Sequence, residues 1–398
     1  MRRSTLCSII PPHILRNIAE RGDDDARADA QRALETTEQS RGMRMIATEA
    51  VMAAVSTGEK RRTIYDAQHA RTLPGKRIRG EGDAAVRDVA VNEAYDGAGK
   101  TYDFYKKVYA RNSVDDRGAR LDGSVHYGVR YQNALWNGRQ MIYGDGDNRY
   151  FNRFTLALDV IAHELTHGVT QYTAGLEYDA QSGALNESFS DVFGALTKQY
   201  SLKQTAAKAD WLIGAGLFTN KVHGVAVRSM KSPGTAYDDP ILGKDPQPAH
   251  MRDYLTTDAD NGGVHVNSGI PNRAFYELAT LLGGKAWEVA GKIWYRTLTR
   301  ELEANANFQR CADATWKVAG ELYGVASAPQ EAVLSAWKRV GLNVSASVIA
   351  EGPRVPVKER YGTPAGAAEL PAGVPHSIGQ LPLATSVDSG TRARPRRL

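Results

Sequence analysis

His163 and His167 stand four residues apart in the run His163-Glu164-Leu165-Thr166-His167. The stretch from Phe154 to Val169 is apolar and has no proline or glycine between Phe154 and His167, which predicts a helix. At 3.6 residues per turn the two imidazoles share one face and reach a single metal ion. Glu164 lies about 100° further round, beside such a metal without ligating it. Zinc held for catalysis needs a third protein ligand and an open fourth position. Asn186-Glu187-Ser188-Phe189-Ser190-Asp191 lies in a second run of helical spacing, Ala184 to Tyr200. From a neighbouring helix Glu187 can complete a His, His, Glu triad. Asp191, one turn on, can accept the spare N–H of a ligand histidine.

A further constellation is Asp260-Asn261-Gly262-Gly263-Val264-His265-Val266-Asn267-Ser268-Gly269. His265, expected in a glycine-flanked loop, can donate to an oxyanion if Asp260 orients and charges its ring.

Three segments, HELTHGVTQYTAGLEYDAQSGALNESFSD, YQNALWNGRQMIYGD (Tyr131 to Asp145) and DNGGVHVNSG, resemble the thermolysin-like zinc metallopeptidases over roughly residues 60 to 345. The opening CSIIPPHIL looks like the short propeptide of the protealysin branch. The resemblance implies an α+β, two-lobed fold. A β-rich N-terminal lobe and a helical C-terminal lobe would flank a cleft, with the zinc helix at its floor. It implies residues 1–50 as propeptide, 51–190 as the N-terminal catalytic lobe, 191–345 as the helical lobe and 346–398 as an extension. Zinc would be held by His163, His167 and Glu187, with Asp191 and Asp260 supporting the site and Glu164 as general base. His265 and Tyr178 would donate to the carbonyl oxygen of the scissile bond. Asn133 and Ala134 match the family's substrate-pairing edge strand, and Arg228 matches an arginine that hydrogen-bonds a substrate carbonyl. Phe154, Val160, Ile213 and Val227 match the pocket for the residue after the scissile bond. Such a pocket favours apolar side chains, at about 1.5–3 kcal/mol for a large one.

The implied activity is that of a neutral endopeptidase cutting on the N-terminal side of hydrophobic residues and made as a proenzyme inhibited by its own propeptide. A catalytically inactive peptide-binding zinc scaffold and a zinc aminopeptidase are the alternatives. Against the first stand Glu164 and His265, both retained; against the second, no motif near the helix that would hold a free α-amine. One departure concerns calcium. Asp159 and Asp210 remain of the family's usual carboxylate cluster, but Lys198, Leu212, Ala215 and Gly216 fall where acids are common, so the double-calcium site is expected to be lost.

The elements around these residues follow from pattern. Pro11-Pro12 marks an extended entry, and the charged, Ala-rich stretch His13 to Leu34 predicts one or two short surface helices. Cys7, within that segment, is either a soft ligand for zinc's fourth position or a small residue in a docking strand. Asp88 to Val108 predicts a helix interrupted near Gly97 and Gly99; Val125 to Tyr131 and Gln140 to Tyr143 predict strands. Helices are expected over Asn272–Leu282, Ala286–Leu298, Phe308–Tyr323 and Ala328–Val340. A propeptide junction is expected between Met43 and Glu59.

Across 398 residues, 42% hydrophobic and 24% charged content describe an ordinary globular chain with room for two cores. The formal charge of +5 is mild and spread out, which argues against a nucleic-acid partner. Two cysteines, Cys7 and Cys311, give no disulfide framework. No stretch is apolar enough to span a membrane, and Leu6 to Ile10 is too short for a signal-peptide core. Family resemblance implies secretion; the missing signal leaves a cytoplasmic location or signal-independent export as the alternative. After Leu342 the composition turns proline-rich and ends Arg394-Pro395-Arg396-Arg397-Leu398, as in a disordered tail.

Overall fold

A computed structural model describes residues 7–47 and 59–351. The expected junction from Met43 to Glu59 and the expected tail therefore fall largely outside the described residues. The chain enters through a two-residue strand, β1 (Cys7–Ser8), and passes through Pro11 into α1 (Pro12–Arg21). Proline at the first helical position costs no hydrogen bond, because that N–H has no intrahelical acceptor in any helix. Gly22 N–H returns to Ile18 O at 2.8 Å and ends the helix; α2 (Asp24–Ala47) follows. These are not the surface helices expected. Ile14, Leu15 and Ile18 of α1 and Ala26, Ala30 and Ala33 of α2 are buried in the core.

Five further strands, β2 (Arg62–Asp66), β3 (Lys76–Gly80), β4 (Leu121–Val125), β5 (Ala134–Trp136) and β6 (Met141–Tyr143), join β1 in one sheet of order β1-β5-β6-β4-β2-β3. The β2/β4 and β4/β6 pairs are parallel and the others antiparallel. The register puts Cys7 opposite Trp136 and Ser8 opposite Leu135, so the edge that β5 would offer to a peptide is taken by the protein's own N-terminal segment.

The parallel pairing of β2 with β4 requires a crossover, and α3 (Val89–Tyr109) supplies it. Asp88 caps α3 by accepting from Ala90 N–H at 2.9 Å. The interruption expected at Gly97 and Gly99 does not occur. Both glycines sit inside a continuous helix because neighbours press on them: a Cβ at Gly97 would collide with Ile161 Cδ1, and one at Gly99 with Arg62 Nη1.

The expected strand Val125 to Tyr131 ends at Val125. His126 takes a positive φ of 53°. Its ring then bridges Asp88 Oδ2 (2.8 Å) and Asp145 Oδ1 (2.9 Å), and that ion-paired turn overrides the alternating pattern.

Two long helices follow: α4 (Leu158–Gln171), which packs on β5 after a separate 3-10 turn at Phe154–Leu156, and α5 (Ala180–Leu202), which packs against α4. Gly194 lets them approach, since a Cβ there would lie 2.6 Å from Asp159 O. Short antiparallel pairs follow, β7 (Leu212–Ile213) with β8 (Arg228–Ser229) and β9 (Asp238–Asp239) with β10 (Gly243–Lys244). The remainder is helical: α6 (Asp260–Asn267), α7 (Gly269–Leu282), α8 (Ala290–Arg296) running into a π turn at Thr297–Glu301, α9 (Phe308–Tyr323), α10 (Ala328–Arg339) and α11 (Ala346–Glu351). Among the described residues no helix is long and apolar enough to cross a membrane.

Candidate active site

The two imidazoles of α4 lie with Nε2 atoms 3.0 Å apart. Glu187, from the facing α5, brings Oε2 within 3.5 Å of His163 Nε2 and Oε1 within 3.5 Å of His167 Nε2. The other ring nitrogens are engaged behind them. His163 Nδ1 is 2.8 Å from Asp191 Oδ1, and His167 Nδ1 is 2.8 Å from Asn186 Oδ1, with Ser190 Oγ at 3.0 Å. With each Nδ1 facing an oxygen behind it, each Nε2 is turned toward the other and toward a carboxylate. Three converging acceptors repel unless a cation sits among them. Glu187 Oε2, fully buried, has no hydrogen-bond partner among the described residues. The donor set, two imidazoles and a carboxylate, fits zinc.

Asp191 is more than a partner for His163. Arg228 grips it through both Nε and Nη2 at 2.8 Å, and Asn272 Nδ2 donates to Oδ2 at 2.8 Å. Burial alone would raise its pKa, but Arg228 and then His163 hold it well below the usual carboxylate range. Asn186, Ser190 and Asn272 were not singled out from the sequence. Asn186 stands directly before Glu187, which was a signal; Asn272 joins only through the packing of α7 against α5.

Glu164 lies fully buried beside the triad and accepts from Trp136 N–H at 2.9 Å. Burial, and next the charge of Glu187, push its pKa well above the ordinary carboxylate value. His265 is not on an open loop as expected. Asn261, Gly262 and Gly263 adopt positive φ and lead into a short helical turn in which His265 is buried. Its Nδ1 is 2.8 Å from Asp260 Oδ1. Burial opposes a charge on this ring, but Asp260 and Glu187 outweigh it and raise the pKa. The Tyr178 hydroxyl donates to Glu187 Oε1 and lies 3.2 Å from His265 Nε2.

The residues expected to receive a peptide are occupied by this chain's own N-terminal segment. Ile9 N–H donates to Ala134 O at 3.2 Å, and Ile10 N–H to Asn133 Oδ1 at 3.0 Å. Arg228 Nη1 donates to Ile9 O at 2.9 Å, and His265 Nε2 lies 3.0 Å from Ser8 O. Phe154, Val160, Ile213 and Val227 are all buried, and Ile213 pairs with Arg228 in the β7/β8 register. The backbone of Cys7 forms the docking strand; its side chain lies outside the described residues.

With this geometry in hand, the chain matches the family model described as thermolysin metallopeptidase, catalytic domain, over residues 21–171, and its alpha-helical domain over residues 174–342. The chain belongs to the thermolysin metallopeptidase family. It is similar to an extracellular metalloprotease of Pectobacterium carotovorum subsp. carotovorum, 51% identical over 86% of this chain and 99% of that one. It is similar also to Protease PrtS of Photorhabdus sp. (strain Az29), 48% identical over 84% of this chain and 92% of the other. Among solved structures, the precursor of protealysin, a metalloproteinase from Serratia proteamaculans, superposes with a TM-score of 0.77. It is 54% identical and covers 84% of this chain and 99% of its own. The fold is thus the thermolysin-like pair of a sheet-containing N-terminal domain and a helical C-terminal domain, and the chain is a metalloprotease of a zinc-dependent family.

Proposed function

We propose that this chain is a self-inhibited precursor of a zinc endopeptidase that cuts on the N-terminal side of apolar residues. The observation that carries this reading is the segment Ser8–Ile10, whose backbone polar atoms are received by His265, Ala134, Arg228 and Asn133, the set expected to bind a peptide. Residues 1–50 then act as propeptide, 51–190 and 191–345 as the two catalytic lobes. The relatives named extracellular support secretion.

His163, His167 and Glu187 would hold the zinc, which when bound lowers the pKa of a water and polarises a carbonyl. Glu164, buried beside the triad, takes a proton from the attacking water and passes it to the leaving nitrogen. His265, charged and held by Asp260, donates to the carbonyl oxygen as negative charge gathers there. Tyr178 is a second donor near that point. Arg228 orients the next carbonyl while tying it, through Asp191, to the His163 ring. Burial of Ile9 and of Phe154, Val160, Ile213 and Val227 supports an apolar preference after the scissile bond.

The test is Glu164→Gln against wild type, both loaded with zinc and assayed on casein after limited trypsin treatment. Activity should fall by about 10²–10⁴-fold while zinc content is unchanged, and a chelator should abolish the wild-type rate. A trimmed, zinc-loaded wild type that binds casein peptides without cutting them would instead support an inactive scaffold.

A further inference from the structure

The order of contacts along the N-terminal strand carries information beyond its presence in the cleft. His265, the donor expected to meet the oxygen of the attacked carbonyl, lies 3.0 Å from Ser8 O. The next backbone nitrogen, of Ile9, donates to Ala134 O at 3.2 Å and faces Glu164, offsetting a small part of the rise that burial gives that carboxyl's pKa. Carbonyl donor and proton carrier thus face the two halves of one peptide bond, Ser8–Ile9. The following carbonyl, Ile9 O, receives Arg228, and the following N–H, of Ile10, reaches Asn133 Oδ1, whose Nδ2 lies 3.4 Å from Ile10 O. A strand of the opposite polarity would point N–H groups at His265 and Arg228, which have only donors to offer them there. The side chain after the bond, Ile9, is fully buried, as the apolar pocket requires.

Resting on the peptidase reading above, we propose that this segment is bound as a substrate, and that the protein hydrolyses its own Ser8–Ile9 bond. The bond between the Ser8 carbonyl carbon and the Ile9 nitrogen breaks. Water supplies the oxygen of a new Ser8 carboxylate and a proton for a new Ile9 amine. This cut does not empty the cleft. Two residues past Ile9 the chain turns at Pro11 into α1, which is anchored by His13 Nε2 at 2.7 Å from the Tyr237 hydroxyl, by Asn17 Nδ2 donating to Leu242 O at 2.7 Å, and by buried Ile14, Leu15 and Ile18. The cut form keeps Ile9 and Ile10 docked, so inhibition outlasts the first cleavage and ends only with a second cut beyond α2.

Full-length wild type, loaded with zinc, is followed by intact mass and N-terminal sequencing over a dilution series, beside Glu164→Gln, Ile9→Leu and Ile9→Asp. Wild type should yield a species beginning at Ile9, at a rate independent of protein concentration and ahead of any casein hydrolysis. Ile9→Leu should convert within a few-fold of wild type, Ile9→Asp about tenfold slower or less readily still, and Glu164→Gln not at all, with far-UV circular dichroism unchanged throughout. In Glu164→Gln, the Ile9 and Ile10 amides should be protected from hydrogen exchange; free exchange there would overturn the docked register. A preparation that hydrolyses casein yet never shows an Ile9 terminus would sink this inference and leave the peptidase reading standing. Absence of both, even after trypsin trimming, would remove the peptidase reading with it. A rate proportional to protein concentration would also overturn it, because the cut would then be made between molecules.

Discussion

Lys198 shows how much a single residue can settle. Its ammonium donates to Asp159 Oδ2 at 2.8 Å and to Leu212 O at 2.7 Å, and lies 3.0 Å from Asp210 Oδ1. Burial disfavours the charge, yet Asp159 first among its partners raises the lysine pKa above its ordinary value. A cation of the chain itself therefore lies between two carboxylates, and Asp159 is buried at the first turn of α4. Lys198→Ala would leave that carboxylate uncompensated, at a cost of up to about 3–5 kcal/mol, the range for a broken buried pair. Chelating calcium with zinc retained should leave the wild-type melting temperature unchanged. A large drop on calcium removal, or a neutral Lys198→Ala, would refute this account. Lys198, Leu212, Ala215 and Gly216 can be read from the sequence; that the lysine reaches both Asp159 and Asp210 cannot, because one contact needs α4 packed on α5 and the other needs the chain beyond α5 to fold back.

At the scale of elements, legibility followed the strength of local signals. Phe308–Tyr323 was readable to the residue, since Asn307 caps its start by accepting from Arg310 N–H at 2.8 Å and Gly324 ends it. The convergence of His163 and His167 was readable because i, i+4 spacing on a helix is itself a three-dimensional statement. Tertiary causes defeated the rest. Glycine looked like a breaker in α3, where it is a contact surface, and the Asp260–Asn267 stretch looked like a loop because its left-handed entry hides the helical turn holding His265. Gly97 tests the first point. Alanine there gains about 1 kcal/mol in helix propensity but thrusts a methyl group into Ile161 of the zinc helix, where overpacking costs about 1–3 kcal/mol. Gly97→Ala should thus lower stability by about 1 kcal/mol in urea unfolding, whereas Gly82→Ala meets no neighbour and probes only backbone freedom. A stabilised Gly97→Ala would mean the helices have room to separate.

For the whole molecule, what matters is what holds α1 and α2 on the sheet and helices that follow and what would loosen them. The polar contacts include the Asp29–Arg130 pair at 2.9 Å, the Asp23–Arg149 pair, Thr37 with the Tyr131 hydroxyl at 3.1 Å, Asn17 with Leu242 O, and His13 with Tyr237. His13 is the one that titrates in a mild range. Burial lowers its pKa from 6.5 to about 4; Asp260 opposes this, while His265, Arg16 and Arg228 add to it. Its Nδ1 is buried without a partner among the described residues, so a proton gained there meets no acceptor and enters a cluster already holding Arg228 and a charged His265. The sign follows. With the docked pKa below the undocked value, docking is at full strength above about pH 6.5 and weakens as pH falls toward 4. Hydrogen exchange at the Ile9 and Ile10 amides of Glu164→Gln should therefore speed up between pH 7.5 and 5, after correction for the intrinsic rate. Asp29, whose pKa burial raises, works in the opposite sense, favouring docking as pH falls, whereas Asp23, held below its ordinary value by Ala26 N–H and then Arg149, weakens it with acid, so the decisive comparison is His13→Gln in the same background. That variant keeps a polar group facing Tyr237 but cannot be charged, and its docking should be nearly flat from pH 7.5 to 5. An unchanged slope would assign acid release to the Asp23–Arg149 pair instead and leave His13 a merely buried ring.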